Sequence, residues 1–123
     1  MPSLTLRRLL FAGLLLTILG LSVMPTPPRL PGTLGYDKLQ HLSAFALLAL
    51  SARWAWPRAA WRWIWLGLLG YGVGIELAQS FTPNRMAEVE DVGADLLGVG
   101  LGHLAWQGWR SRKNARGALP EAD

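Results

Sequence analysis

Residues 61–81 read WRWIWLGLLGYGVGIELAQSF. The run is close to the roughly 20 residues that a helix needs to cross a bilayer. Glu76 falls about five residues before Phe81, or roughly 7 Å below the end at 1.5 Å per residue. A carboxylate at a helix C-terminal end opposes the dipole, so no capping argument explains it. Inside an apolar zone its charge must be paired, protonated or hydrated. The same stretch therefore argues for a membrane helix and for a polar site near one of its ends. Gln79 lies three residues on, on nearly the same face.

Working outward, three further apolar segments are legible: about Leu9–Met24, Leu39–Trp56 and Val89–Trp109. Proline separates them. Residues 25–32 hold four prolines and cannot be helical, Pro57 interrupts the next connection, and Thr82-Pro83-Asn84-Arg85 is a turn signal. The expected fold class is all-α, an integral membrane bundle of four transmembrane helices. One domain occupies residues 1–110, followed by a polar tail, 111–123, expected to be frayed. Arg7-Arg8 before an apolar run resembles the start of a signal peptide. No small-x-small cleavage site precedes Pro25, so the segment reads as a retained helix.

The chain of 123 residues is half hydrophobic, with seven Trp, no Cys and a formal charge of +4. The absence of cysteine excludes a disulfide framework and thiolate chemistry. The basic excess does not indicate nucleic acid, because the apolar runs are too long for a small soluble binder. It is better explained as topology. With both termini cytoplasmic, Arg7, Arg8, Arg53, Arg58, Arg62, Arg110, Arg112, Lys113 and Arg116 lie inside, against Arg29, Lys38 and Arg85 outside. All the tryptophans fall near the cytoplasmic interface, where indole is favoured.

That topology gathers Asp37, Glu76, Glu88, Glu90, Asp91 and Asp95 at the outer end. Asp37 and His41 are four apart and share a helical face, so the carboxylate could orient the imidazole; a cap is the plainer reading for Asp37 alone. Asp91 and Asp95 also share a face, and two like charges there require a proton, a cation or a basic partner such as Arg85. Glu88 and Glu90 read as solvated loop charges. His103, on the cytoplasmic side of the last segment, reads as a structural hydrogen bond to a neighbouring helix. Gly70 with Gly74 and Gly98 with Gly102 have the small-residue spacing that lets helices approach closely in lipid.

The ordered set Asp37-Lys38-x-x-His41-x-x-x-Phe45, Glu76-x-x-Gln79-x-x-x-Pro83-x-Arg85 and Asp91-x-x-x-Asp95-x-x-Gly98 resembles the VanZ-like membrane proteins. Asp95 stands where Asn is usual in that pattern, which adds a charge. The resemblance, over about Tyr36 to Gly102, implies a bacterial cytoplasmic-membrane protein acting near the outer leaflet. The family's namesake is associated with resistance to a glycopeptide antibiotic. The expected site is a polar pocket built from the second, third and fourth helices. Glu76, His41 and Asp95 are its candidate catalytic residues, and Asp37, Lys38, Gln79, Arg85 and Asp91 its candidate ligand-binding residues. Lys38 and Arg85 could hold a phosphate. His41 could act with Glu76 as an acid–base pair, or with Asp91 and Asp95 bind a divalent cation. No cofactor is assigned. The partners expected are membrane lipids or a lipid-linked envelope precursor, and homo-oligomerisation stays open. Three functions compete: binding or handling of an envelope lipid or antibiotic, an intramembrane hydrolase or transferase acting on a lipid head group, and a purely structural polar cluster.

Overall fold

The computed structural model describes residues 2–24, 34–82 and 89–118, with the backbone alone at 34–37 and 118. Among the described residues all regular structure is α-helical: α1 (Leu4–Val23), α2 (Leu34–Ala55), α3 (Trp61–Ser80) and α4 (Val89–Ala118). Arg29, Arg85 and Glu88 lie outside the described residues. By length and composition α1 is the one described helix apolar enough to cross a membrane.

The helix ends differ from the sequence expectation at three places. The first helix starts at Leu4 rather than Leu9, because the Ser3 side chain accepts the Leu6 amide at 3.1 Å and caps it. The second starts at Leu34, so Asp37 lies inside the first turn and is not the cap. The tail expected to fray instead continues α4 to Ala118. Its Arg112, Lys113, Ala115 and Arg116 are good helix formers, and basic groups in a last turn suit the dipole.

Contacts between helices fix their directions. Arg7 and Arg8, at the start of α1, donate to the carbonyls of Trp54 and Ala55 at the end of α2. Gln79, at the end of α3, donates to the Ser22 carbonyl at the end of α1. The bundle therefore runs up-down-up-down, with α2 parallel to α4. These two form the most intimate pair. Gly98 lies against the Leu42 carbonyl and Gly102 against the Ala46 carbonyl, so only a glycine lets the backbones meet there.

Gly70 and Gly74 do not provide the close helix approach that their spacing suggests. Both have open space where a Cβ would stand. The buried stripe of α3 is Ile64, Leu68, Gly72, Ile75, Glu76 and Gln79, and with 3.6 residues per turn Gly70 and Gly74 fall off that stripe. The core is Phe45, Leu48, Ala49, Ala52, Ile64, Leu68, Ile75 and Val99, at the junction of α2, α3 and α4. Tyr71 ties α3 to α1 through its hydroxyl, which donates to the Leu15 carbonyl at 2.5 Å.

The two ends of the bundle are chemically unlike. Where α1 and α3 begin, arginine and tryptophan dominate. The Arg53 guanidinium lies 4.4 Å over the Trp61 ring and donates to the Pro57 and Ala59 carbonyls. Arg8 lies over Trp56 at 5.3 Å. The described acidic residues gather at the opposite end.

Candidate functional site

At that opposite end α2 and α4 begin, and α1 and α3 finish. His41 stands on α2 one residue before Leu42, and Asp95 on α4 three residues before Gly98. The glycine contact therefore sets the distance between their side chains. His41 Nδ1 lies 2.8 Å from Asp95 Oδ1. The other ring nitrogen, Nε2, lies 3.7 Å from Asp91 Oδ2. One imidazole is thus flanked by the two aspartates of one helix face, as their four-residue spacing requires.

Lys38, one turn before His41, completes the outer edge. Its ammonium donates to Asp91 Oδ1 at 3.0 Å and lies 3.6 Å from Glu90. Asp91 is the third residue of α4, where a carboxylate also meets the positive end of the dipole. It is not a solvated cap, because only 2% of it is exposed. Glu90 is the exposed charge that was expected, though it stands in the first turn of α4 rather than in a loop.

From α3, Glu76 enters the same space. Ligating atoms of His41, Glu76 and Asp95 all lie within 4.8 Å of one another. Glu76, Gln79 and Asp95 are all buried. Asp95 Oδ2 has no hydrogen-bond partner among the described residues, and neither has Gln79 Oε1. Gly72 supplies the room: a Cβ there would lie 2.9 Å from Asp95 Oδ2. Such buried acceptors cost free energy unless some group meets them.

The three sequence-chosen catalytic candidates therefore come together, with Lys38 and Asp91 adjoining. Gln79 is drawn toward α1, donating to the Ser22 carbonyl at 3.0 Å. Asp37 shares the first turns of α2, and its side chain lies outside the described set. Two contributors escaped sequence reading. Gly72 is legible only once the buried stripe of α3 is known. Helix α1, which was expected to stand aside, adds Ile18, Leu21 and Ser22 to a cleft of 580 Å³ beside His41 and Gln79. Toward the bundle end Ser22, Gln40, His41 and Gln79 line the cleft beside Leu21 and Leu39. One turn deeper it is mainly apolar, at Ile18, Ala44, Phe45 and Ile75, with Ser43 the polar exception.

His103 is at the other end, as anticipated, and holds helices together. The Trp65 indole donates to its Nδ1 at 3.1 Å, and Trp61 stacks on the ring at 3.8 Å. The Gln107 amide nitrogen stands 3.0 Å from Nε2; because a neutral ring accepting at Nδ1 carries its proton on Nε2, the Gln107 amide must turn over to present its oxygen there.

No curated protein and no solved structure matches this chain. A model of the VanZ/LLP1 family does match, over residues 5–110. That span takes in α1, α2, α3 and most of α4, with every residue of the polar end, and so the chain belongs to the VanZ/LLP1 family.

Proposed function

We propose that the protein spans the bacterial cytoplasmic membrane with all four helices, both termini inside, and binds the head group of an envelope lipid or lipid-linked precursor at the outer end. The inverted arrangement of its side chains supports the first part. Arg53, Glu76, Gln79, Asp91 and Asp95 are buried, while Leu9, Leu16, Leu66, Leu77, Leu97 and Leu104 are more than half exposed. A water-soluble bundle does the reverse. In lipid the leucines face the acyl chains and the polar groups face the bundle interior. This also explains why α2, α3 and α4 look less apolar than α1: their polar residues belong to the inside. The arginine and tryptophan end suits the cytoplasmic interface.

The observation that carries the binding role is the cleft between α1, α2 and α3. Its mixed outer end and mainly apolar depth fit an amphiphile, with the head group beside His41 and Gln79 and a chain along Ile18, Phe45 and Ile75. Lys38 stands at the outer edge beside Asp91, and a phosphate there would share its ammonium with that carboxylate. The test is native mass spectrometry of protein purified in mild detergent, with the retained lipid identified by fragmentation. Wild type should carry a phospholipid or lipid-linked phosphate. Ala44→Trp, which fills the cleft, should lose it while keeping its helical circular dichroism. Equal retention by Ala44→Trp, or no lipid on the wild type, would reject the site.

A further inference from the structure

We propose that His41, Glu76 and Asp95 form a three-ligand site for a divalent transition-metal ion, which takes the anionic head group as a further ligand. The second clause rests on the lipid reading above; the metal site does not. Three features of the polar end support it, beginning with the donor set. One imidazole and two carboxylates, from three different helices, bring ligating atoms within 4.8 Å of one another. Imidazole with carboxylate suits Zn²⁺ or Mn²⁺, whereas Ca²⁺ and Mg²⁺ prefer oxygen alone. Three protein ligands leave coordination positions open to a ligand from the cleft.

A second feature is an unmet acceptor. Asp95 is 2% exposed, and its Oδ2 has no hydrogen-bond partner among the described residues. Gly72 lacks the Cβ that would press to within 2.9 Å of that oxygen. A native fold rarely leaves a carboxylate oxygen this deep without a proton donor or a cation.

The outer contacts are the third. With Nδ1 turned to the metal on the Asp95 side, the ring proton resides on Nε2, which faces Asp91 Oδ2 at 3.7 Å. Asp91 is held by Lys38 at 3.0 Å. A carboxylate behind a ligating histidine fixes its tautomer and raises its basicity. Asp91, which the sequence suggested as a ligand, thus stands behind the histidine, and Glu76 takes its place in the metal shell.

The test uses full-length protein in detergent, stripped with a chelator and titrated separately with Zn²⁺ and Mn²⁺. Wild type should bind one ion per chain. Glu76→Gln and Asp95→Asn should each weaken binding at least tenfold. Asp91→Asn, which keeps all three ligands, should weaken it by about tenfold. Glu90→Gln should not change it. Pulsed electron paramagnetic resonance of the Mn²⁺-loaded wild type should show a ¹⁴N coupling that persists in His103→Gln. That readout needs no substitution at the site, so it decides even if a variant misfolds. Absence of stoichiometric binding, or of the nitrogen coupling, overturns the metal site. A ³¹P coupling that appears with phospholipid vesicles assigns the further ligand to a lipid; one that appears equally with inorganic phosphate assigns it to phosphate in general. Lipid retained unchanged after chelation, with no metal bound, would remove the metal and leave the lipid reading standing. Metal bound with no ³¹P coupling would keep the metal site and overturn the head group as its further ligand.

Discussion

Gly98 of α4 rests directly on the backbone carbonyl of Leu42 in α2. Leu42 follows His41 and Gly98 is three residues past Asp95, so this backbone contact governs how closely imidazole and carboxylate approach. A methyl group at Gly98 would overlap the carbonyl, which cannot swing aside as a side chain could. Gly98→Ala should therefore destabilise the protein by about 1–3 kcal/mol, the usual cost of overpacking. It should also weaken whatever the polar end binds. Gly74→Ala is the control, because open space surrounds that position. It should be neutral, or stabilising by up to about 1 kcal/mol, since alanine is the better helix former. Thermal unfolding in detergent measures both, and equal effects would mean that the α2–α4 approach is looser than described.

The Lys38–Asp91 pair predicts a non-additive cycle. Lys38→Met leaves Asp91, which is almost fully buried, without its ammonium partner. The expected loss is about 2–3 kcal/mol, reduced from that of a fully buried pair because Lys38 is part-exposed. Asp91→Asn in the same background should recover most of it, because the stranded charge is gone. Denaturation of the two single variants and the double variant checks this, and purely additive losses would argue against coupling.

Topology is open to a direct check, because the chain has no cysteine of its own. Phe81→Cys, at an exposed position after α3, should label with a membrane-impermeant maleimide on intact cells. Arg58→Cys, exposed between α2 and α3, should label only after permeabilisation. The reverse pattern would put the polar end in the cytoplasm and remove the outer-leaflet lipid from consideration.

Trp65 gives a prediction at the far end. Trp65→Phe removes the donor to His103 Nδ1 and should cost about 1 kcal/mol. Because the polar end is separate from this contact, retained lipid and bound metal should stay at wild-type levels. Native mass spectrometry alongside a melting curve would show the separation. Loss of ligand in this variant would imply coupling along α3 and α4.

The polar site was largely legible before the fold was known, because its members are costly residues at helical spacing. Glu76 lies too deep for a cap, and Asp95 lies one turn inside Asp91. Each anomaly is local, and the alternation of short loops with apolar runs places them all at one end. Asp91 and Asp95 share a face for the same local reason. The role of His103 also followed from its isolation on an apolar segment.

What sequence settles by itself is the set of helices, their order and the end at which charge accumulates. These depend on periodicity, proline breaks and the cost of burying charge, which are properties of single segments. Partner choice among the segments is different. Whether a glycine pair is used depends on what faces it: Gly98 and Gly102 meet the carbonyls of Leu42 and Ala46, while Gly70 and Gly74 meet nothing. The same holds for Ser22 and Gly72, ordinary residues that acquire a role only where α1 and α3 close on the cleft. Only the tertiary structure could assign Asp91 to Lys38 and Glu76 to the His41–Asp95 side. That assignment turns on the rotation of one helix against another, which no single segment encodes.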